Sequence, residues 1–197
     1  MLSMLNYIRQ HIKKSIEVKQ ALLSNQSVMN QILVVAKEAI DVYARGNKIL
    51  VAGNGGSAAD AQHIVGELVS RFYFDRPGLP AIALTTDTSI LTSVGNDYGY
   101  DHVFSRQLQA NAVEGDMFIG ISTSGNSPSI LSAFEACAPK KVIRVGLTGE
   151  SGGKMNDVCD YCINVPSNET PRIQESHIMI GHILCAIVEE QIFGVGF

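Results

Sequence analysis

The chain has 197 residues, of which 46% are hydrophobic and 17% charged, enough apolar material for one domain with a substantial core. The formal net charge of −4 and the absence of any basic run longer than two residues argue against a nucleic-acid-binding protein. No apolar segment reaches the length of a membrane span, and the N-terminus does not have the pattern of a signal peptide. We therefore predict a cytoplasmic protein with reduced cysteines, and the low charged fraction predicts a homo-oligomer.

Two helices are predicted at the N-terminus. Apolar residues recur at helical spacing from Leu5 to Leu23, and the polar segment 24–27 ends this first helix. The second helix is predicted from about Val28 to Ala44, before an Arg-Gly-Asn sequence that is typical of a helix end. We interpret residues 1–47 as a helical hairpin that belongs to the same domain and either caps the core or packs on another subunit.

Short apolar runs alternate with helical segments from residue 48 onward. We predict strands at 48–53, 81–85, 116–121, 142–147 and 161–165, and helices at about 58–71, 88–94, 101–111, 128–138 and 172–193. Apolar strands that alternate with helices are typical of a parallel sheet covered on both faces. The predicted fold class is therefore α/β, a three-layer sandwich with a five-stranded parallel sheet in residues 48–197. Ligands bind such sheets beyond the C-terminal ends of the strands.

The loop after the third predicted strand has the sequence Ser-Thr-Ser-Gly-Asn-Ser-Pro, residues 122–128. Pro128 suits the first position of the following helix, and Ser127 suits its N-cap. The free N–H groups and the dipole of a helix N-terminus favour an anion, and four hydroxyl groups surround this one. We interpret the loop as a neutral phosphate-binding site; the alternative is an ordinary serine-capped turn.

The loop after the first predicted strand is Gly53-Asn54-Gly55-Gly56-Ser57. It matches a dinucleotide-binding pattern loosely, but no acidic residue ends a strand about 20 residues further on. The Lys-Ser/Thr pair of a nucleotide-binding P-loop is also absent. We therefore interpret the glycines as allowing the backbone to approach a polar ligand closely, with Asn54 and Ser57 contacting it.

His63 and Glu67 are four residues apart in the helix that follows this loop, so both side chains lie on one face, one turn apart. A histidine nitrogen and a carboxylate oxygen suit zinc or a similar divalent metal; the alternative is a surface pair. In the last helix, Gln174 and His182 are roughly 80° apart around the axis and about 12 Å apart along it. They meet one point only if His182 leans toward the helix N-terminus. His177 belongs to another face and is interpreted as a packing or polar residue.

Together these motifs resemble the sugar isomerase (SIS) family, and within it the sedoheptulose 7-phosphate isomerases. The resemblance extends over nearly the whole chain. It is carried by the two loops described above and by three further motifs, Asp60-Ala61-Gln62-His63 with Glu67, Val94-Gly95-Asn96-Asp97-Tyr98-Gly99-Tyr100, and Arg172-Ile173-Gln174-Glu175 with His182.

The resemblance implies a homotetramer with one zinc ion, or another divalent metal, in each subunit. Matched by position, the metal ligands would be His63, Glu67, Gln174 and His182. The phosphate would be held by the hydroxyl groups of Ser122, Thr123, Ser124 and Ser127. Further contacts to the substrate would come from Asn54, Gly55, Gly56, Ser57, Asn96 and Asp97, together with Glu67 and Gln174.

The implied reaction converts sedoheptulose 7-phosphate to D-glycero-D-manno-heptose 7-phosphate, for the heptose of lipopolysaccharide and other surface glycans. A proton must move between C1 and C2 through an enediol-type state, which requires a base, an acid and a group that holds negative charge. Glu67 is the candidate base and His182 the candidate acid. Two alternatives are an isomerase of another phosphosugar and a non-catalytic SIS module, of the replication-initiator-associating type, that binds a sugar phosphate or a protein. The presence of both Glu67 and His182 favours the enzyme.

Overall fold

The computed structural model describes residues 3–194. Two helices come first, and strands then alternate with helices to the end of the chain. In order, the elements are α1 (Met4–Ser24), α2 (Gln26–Ala44), β1 (Ile49–Gly53), α3 (Gly56–Val69), β2 (Ala81–Ala83), α4 (Thr88–Tyr98), a 3-10 turn (Tyr100–His102), α5 (Ser105–Asn111), β3 (Met117–Ile121), α6 (Pro128–Cys137), a second 3-10 turn (Ala138–Lys140), β4 (Ile143–Thr148), α7 (Met155–Val158), β5 (Tyr161–Asn164) and α8 (Thr170–Phe193).

The five strands form one parallel sheet in the order β2-β1-β3-β4-β5. The chain moves outward from β1 to β2 and then returns to the other side of β1, so the strand order reverses between β1 and β3. Gly53 at the end of β1 pairs with Ile121 at the end of β3. The loops that follow these two strands therefore start side by side, at the point where open α/β sheets bind ligands.

Both faces of the sheet are covered, which confirms the predicted three-layer α/β sandwich. Ile49 and Val51 of β1 pack into a core layer with α2, α3 and α8. Leu50 and Ala52 point the other way, into a second core layer formed with α5 and α6. The alternation follows from the two-residue period of a strand, and burial on both faces explains why the strands are continuous apolar runs.

The element boundaries differ from the predicted ones at a few points. The predicted break at 24–27 is a single residue, Asn25, whose side chain accepts a hydrogen bond from Val28 N and caps α2. Helix α3 begins at Gly56 and ends at Val69, earlier at both ends than predicted. The four-residue helix α7 was not predicted, because so short an element has no measurable apolar period.

The two N-terminal helices contribute differently to the fold. One side of α2, including Val35, Ala36 and Val42, is fully buried in the core layer beneath the sheet. Helix α1 packs on α2 and α8, and most of its apolar side chains are exposed, among them Ile12 and Ile16. Within residues 3–194, no helix is both long and apolar enough to cross a membrane.

Candidate active site

Three ionisable side chains from two helices converge at one point. His63 and Glu67 lie one turn apart on α3, and His63 Nε2 is 3.1 Å from Glu67 Oε1. His182 on α8 places its own Nε2 3.4 Å from His63 Nε2. One ligand atom from each of the three residues lies within 4.8 Å of the other two. The cluster is half-exposed, so a small ion can reach it from solvent.

The approach of the two helices explains how His182 reaches the cluster. Gly181, the residue before it, faces Ile64 on α3. A Cβ atom at Gly181 would lie 2.7 Å from the Ile64 side chain, closer than van der Waals contact allows. The glycine therefore lets α8 pack tightly on α3, and this close packing brings His182 beside His63.

The cluster has the composition and the spacing of a divalent metal site. Imidazole nitrogens and a carboxylate oxygen are the ligands that zinc uses in catalytic sites. Ligand atoms bound tetrahedrally at about 2.0–2.1 Å from zinc are roughly 3.3 Å apart, close to the 3.1 and 3.4 Å separations seen here. Two of the three separations therefore match those expected around a zinc-like ion, and the third is no more than 4.8 Å.

A polar pocket of about 210 Å³ lies at the C-terminal ends of β1 and β3. It contains most of the predicted phosphate and sugar ligands, and its lining consists of Asn54, Ser57, Ile121, Ser122, Thr123, Ser124, Ser127 and Gln174. Gln174 enters the pocket from the first turns of α8. A Cβ atom at Gly56 would be 2.5 Å from Gln174 Nε2, so the absence of a side chain at Gly56 makes room for this amide.

A larger cavity, of about 530 Å³, lies between the start of α2 and the β5 edge of the sheet. Its lining includes the carboxylates of Glu150 and Asp160 and contains no lysine, arginine or histidine. Asp160 is already paired with Arg144, which does not line the cavity. The lining therefore offers a phosphate group no basic side chain, and the carboxylate of Glu150 repels it. The hydroxyl-lined pocket therefore suits a phosphate group better, although its volume is less than half that of the larger cavity.

The hydroxyl-rich loop differs from an ordinary serine-capped turn. Ser127 is the N-cap residue of α6 and Pro128 follows it, as predicted, but the Ser127 side chain makes no capping bond to the helix. Its Oγ instead accepts a hydrogen bond from Asn54 Nδ2, at 2.9 Å. Pro128 has no N–H and Ile130 N donates to the Ser127 carbonyl oxygen, so the N–H of Ser129 is the free donor of the first turn. This end of the helix is suited to an anion.

Comparisons with known proteins agree with this geometry. A family model described as the SIS domain matches residues 10–149. The chain is 70% identical over 188 residues to the phosphoheptose isomerase of Aneurinibacillus thermoaerophilus, with 95% of each chain covered. It is 63% identical over 192 residues to phosphoheptose isomerase 2 of Campylobacter jejuni, with 98% of this chain and 96% of that protein covered. The chain belongs to the phosphoheptose isomerase family.

The fold agrees with that of a solved member of the phosphoheptose isomerase family. The structure matches the phosphoheptose isomerase of Francisella tularensis with a TM-score of 0.90 at 37% identity, over 96% of this chain and 100% of that chain. The family resemblance inferred from the sequence motifs is thereby confirmed. A shared fold alone does not define an activity. Sequence identity of 63–70% over almost the whole chain, however, relates this chain specifically to the phosphoheptose isomerases.

Two residues with predicted sugar contacts, Asn96 and Asp97, lie near the C-terminal end of α4. Both side chains are exposed, and Asn96 Nδ2 donates to Asp97 Oδ1 at 2.8 Å. Neither lines the hydroxyl-lined pocket. Tyr100 from the same motif is also outside the lining, but it donates its hydroxyl proton to Oδ1 of Asn54, which lines the pocket, at 2.9 Å. A role of Asn96 and Asp97 in sugar binding stays a prediction for this member of the phosphoheptose isomerase family.

Sequence reasoning missed several residues that shape the site. Tyr100 and Ser129 bond to Asn54, Gly181 controls the helix spacing, and the Phe72 ring lies 5.6 Å from the His182 ring. Tyr100 lies within a motif that marks the phosphoheptose isomerase family, but no local spacing distinguishes its hydroxyl. The others are brought to the site only by the packing of distant elements.

His177 is a buried packing residue of α8 that contacts the end of β4. It is fully buried, and its Nε2 lies 3.1 Å from the carbonyl oxygen of Thr148 at the end of β4. Burial lowers the pKa of His177 to about 4, although the Thr148 bond acts in the opposite direction. His177 is therefore neutral at physiological pH, as befits the packing residue predicted for that face of α8.

Proposed function

We propose that this chain is a metal-dependent phosphoheptose isomerase that converts sedoheptulose 7-phosphate to D-glycero-D-manno-heptose 7-phosphate, a precursor of the heptose in surface glycans. The observation that carries the proposal is the convergence of Glu67 and His182 with His63, in a chain of the phosphoheptose isomerase family. A non-catalytic SIS module needs no such acid–base set.

The distance between the pocket and the cluster supports a long sugar phosphate as substrate. Ser57 lines the pocket, and His63 lies six residues further along α3, a rise of about 9 Å along the helix axis. A phosphate held in the pocket would therefore place the far end of an extended seven-carbon sugar near the cluster. This far end contains C1 and C2, where the isomerisation takes place.

Zinc is the ion that we propose for the cluster, one per subunit, with His63, Glu67 and His182 as ligands. Gln174, the predicted fourth ligand, lies in the hydroxyl-lined pocket with its amide beside Gly56, and we propose that its side chain turns toward the ion when the ion binds. Other divalent ions with a similar preference for nitrogen and oxygen ligands are possible substitutes. When bound, such an ion acts as a Lewis acid that stabilises negative charge on the substrate oxygens.

Glu67 and His182 divide the proton transfers between carbon and oxygen. From ketose to aldose, a proton leaves C1 and one is delivered to C2, while O1 loses a proton and O2 gains one. Glu67 moves the carbon-bound proton. His182 moves the oxygen-bound one through Nδ1, because its Nε2 faces the cluster. Since Glu67 Oε1 is the oxygen that faces His63, Oε2 is the atom assigned to the carbon-bound proton. One carboxylate can thus serve both the cluster and the substrate.

We propose that the protein works as a homotetramer. Helix α1 exposes an apolar stripe, which we define as Leu5, Ile8, Ile12 and Ile16, each between 54% and 59% exposed in the single chain. These residues repeat every three or four positions and form one continuous face. Contiguous apolar surface of this kind is typical of a protein interface, and a second copy of the chain is the partner proposed here.

Incubation of the purified protein with sedoheptulose 7-phosphate in D₂O, followed by NMR, tests the activity. We expect an aldose that carries solvent deuterium at C2, loss of conversion on chelation, and recovery on addition of zinc. A protein that binds the sugar phosphate but leaves it unchanged, with and without zinc, would instead be a non-catalytic SIS module. Conversion that survives full metal removal would refute the metal assignment alone.

A further inference from the structure

We propose that Tyr100 is a positioning residue for the phosphate pocket. Its hydroxyl fixes the orientation of the Asn54 amide, and the amide in turn directs the Ser127 hydroxyl toward the phosphate group. The inference rests on the proposed function of the pocket and adds a residue that acts without contacting the substrate's reacting atoms.

The Asn54 side chain is held on both sides. Tyr100 donates its hydroxyl proton to Asn54 Oδ1 at 2.9 Å. On the opposite side, Asn54 Nδ2 donates to Ser127 Oγ at 2.9 Å and to Ser129 Oγ at 3.0 Å. Both N–H groups of the amide are therefore used, and its oxygen faces a phenol that donates to it.

This arrangement decides which way the serine protons point. Because Ser127 Oγ and Ser129 Oγ both accept from the amide, each hydroxyl proton is left to be donated elsewhere. The two serine oxygens are 3.3 Å apart, and Ser129 is buried whereas Ser127 lines the pocket. Ser129 can donate to Ser127, and Ser127 then donates into the pocket. A phosphate dianion only accepts hydrogen bonds, so this polarity matches it.

Two of these bonds form one chain of donors, from Tyr100 to Asn54 and from Asn54 to Ser127, that ends at the pocket. Hydrogen bonds in such chains polarise one another and strengthen the terminal donor. If the amide were reversed, its oxygen would face the serines and would accept their protons. The Tyr100 hydroxyl can also accept a hydrogen bond, but a phenol donates more strongly than it accepts, so its pairing with the amide oxygen favours the productive orientation.

The backbone places Tyr100 at the edge of the pocket without burying it. Gly99 has a φ of +89°, a conformation that other residues rarely adopt, and this turn redirects the chain after α4. The 3-10 turn Tyr100–His102 then packs on α6, the helix that begins at the pocket. Tyr100 itself is 57% exposed, so removal of its hydroxyl leaves the core unchanged.

The test is the variant Tyr100→Phe, which removes the hydroxyl and keeps the ring. We expect KM for sedoheptulose 7-phosphate, and Ki for inorganic phosphate as a competitive inhibitor, to rise together by about two- to ten-fold, the effect of one net hydrogen bond. We expect kcat to stay near the wild-type value, because Tyr100 contacts no reacting atom. The control is Tyr98→Phe, since Tyr98 stacks its ring on Arg106 and, unlike Tyr100, makes no hydrogen bond to Asn54. We expect its KM and Ki to be unchanged.

A double-mutant cycle separates positioning from a general structural effect. If Tyr100 acts through Asn54, the Tyr100→Phe change has no further effect on KM or Ki in an Asn54→Ala background. Additive effects, or a Tyr100→Phe variant with unchanged phosphate binding, would overturn the inference. Calorimetric titration with inorganic phosphate measures the effect of Tyr100→Phe on phosphate binding even if the protein does not isomerise the sugar. A failure of the proposed activity can therefore be told apart from a failure of this inference.

Discussion

The Nε2 atoms of His63 and His182 lie 3.4 Å apart, although the two histidines are 119 positions apart in the chain. Both Nε2 atoms are directed at the same point beside Glu67 Oε1. Without an ion, two neutral rings satisfy this contact only if one donates to the other. With a bound cation all three groups are satisfied at once, which is why the pair defines the centre of the site.

The first prediction concerns proton transfer. We expect Glu67→Gln and His182→Asn each to lower kcat by about 100-fold or more, the lower range for general acid–base catalysis, with the fold preserved. Steady-state kinetics and circular dichroism measure the two effects, and the zinc content of each variant shows whether metal was also lost. His102→Gln is the control, because His102 is exposed on a 3-10 turn. A zinc-loaded variant with near-normal turnover would remove that residue from the acid–base role.

The second prediction concerns the hydroxyl-rich loop. Ser124 lines the pocket, and its Oγ accepts a hydrogen bond from Asn126 N. We expect Ser124→Ala to raise KM by about two- to ten-fold, because one donor to the phosphate is lost. Ser93→Ala, which removes an exposed hydroxyl on α4, should leave KM unchanged. Equal KM values for the Ser124 variant and wild type would argue against phosphate binding by this serine.

The third prediction concerns the spacing of α3 and α8. We expect Gly181→Ala to destabilise the protein by about 1–3 kcal/mol, since its new Cβ overlaps the Ile64 side chain. The same overlap should shift His182 and weaken zinc binding. Denaturant unfolding and zinc titration measure these two effects.

Gly66→Ala is the matched control for this helix pair. Nothing lies within 4 Å of a Cβ atom at Gly66, and a glycine in a helix interior is about 0.5–1 kcal/mol less favourable than alanine. We therefore expect the Gly66 variant to gain stability. Adding Ile64→Val to Gly181→Ala should recover part of the lost stability. Full stability of the Gly181 variant alone would contradict the proposed cause of the close packing.

The fourth prediction concerns assembly. We expect Ile12→Glu, a charge placed in the apolar stripe of α1, to reduce the mass of the assembly to about one half or one quarter of its value, as expected when one type of interface in a symmetric tetramer is lost. Light scattering coupled to size-exclusion chromatography measures this mass. Gln10→Glu adds the same charge on another exposed face of α1 and should leave the mass unchanged. A wild-type protein that is monomeric at micromolar concentration would refute the tetramer directly.

Most of the fold was predictable because its signals are local. Apolar runs placed all five strands to within two residues, since burial on both faces leaves no polar position in a central strand. The element that escaped, α7, is too short to show a period. The two loops at the site were also predictable, because parallel strands place all their C-terminal ends at one edge of the sheet.

The sequence by itself determined that His63 and Glu67 share one helix face, because 3.6 residues per turn place residues four apart side by side. It also determined where the hydroxyl-rich loop meets a helix N-terminus. Only the tertiary structure decided that His182 joins His63 and that Tyr100 holds Asn54. These contacts depend on strand order and on the close approach of α8 to α3. The distance between the two helices depends on side-chain volumes at positions far apart in the sequence, such as the absence of a side chain at Gly181. The periodicity of the sequence does not predict this distance.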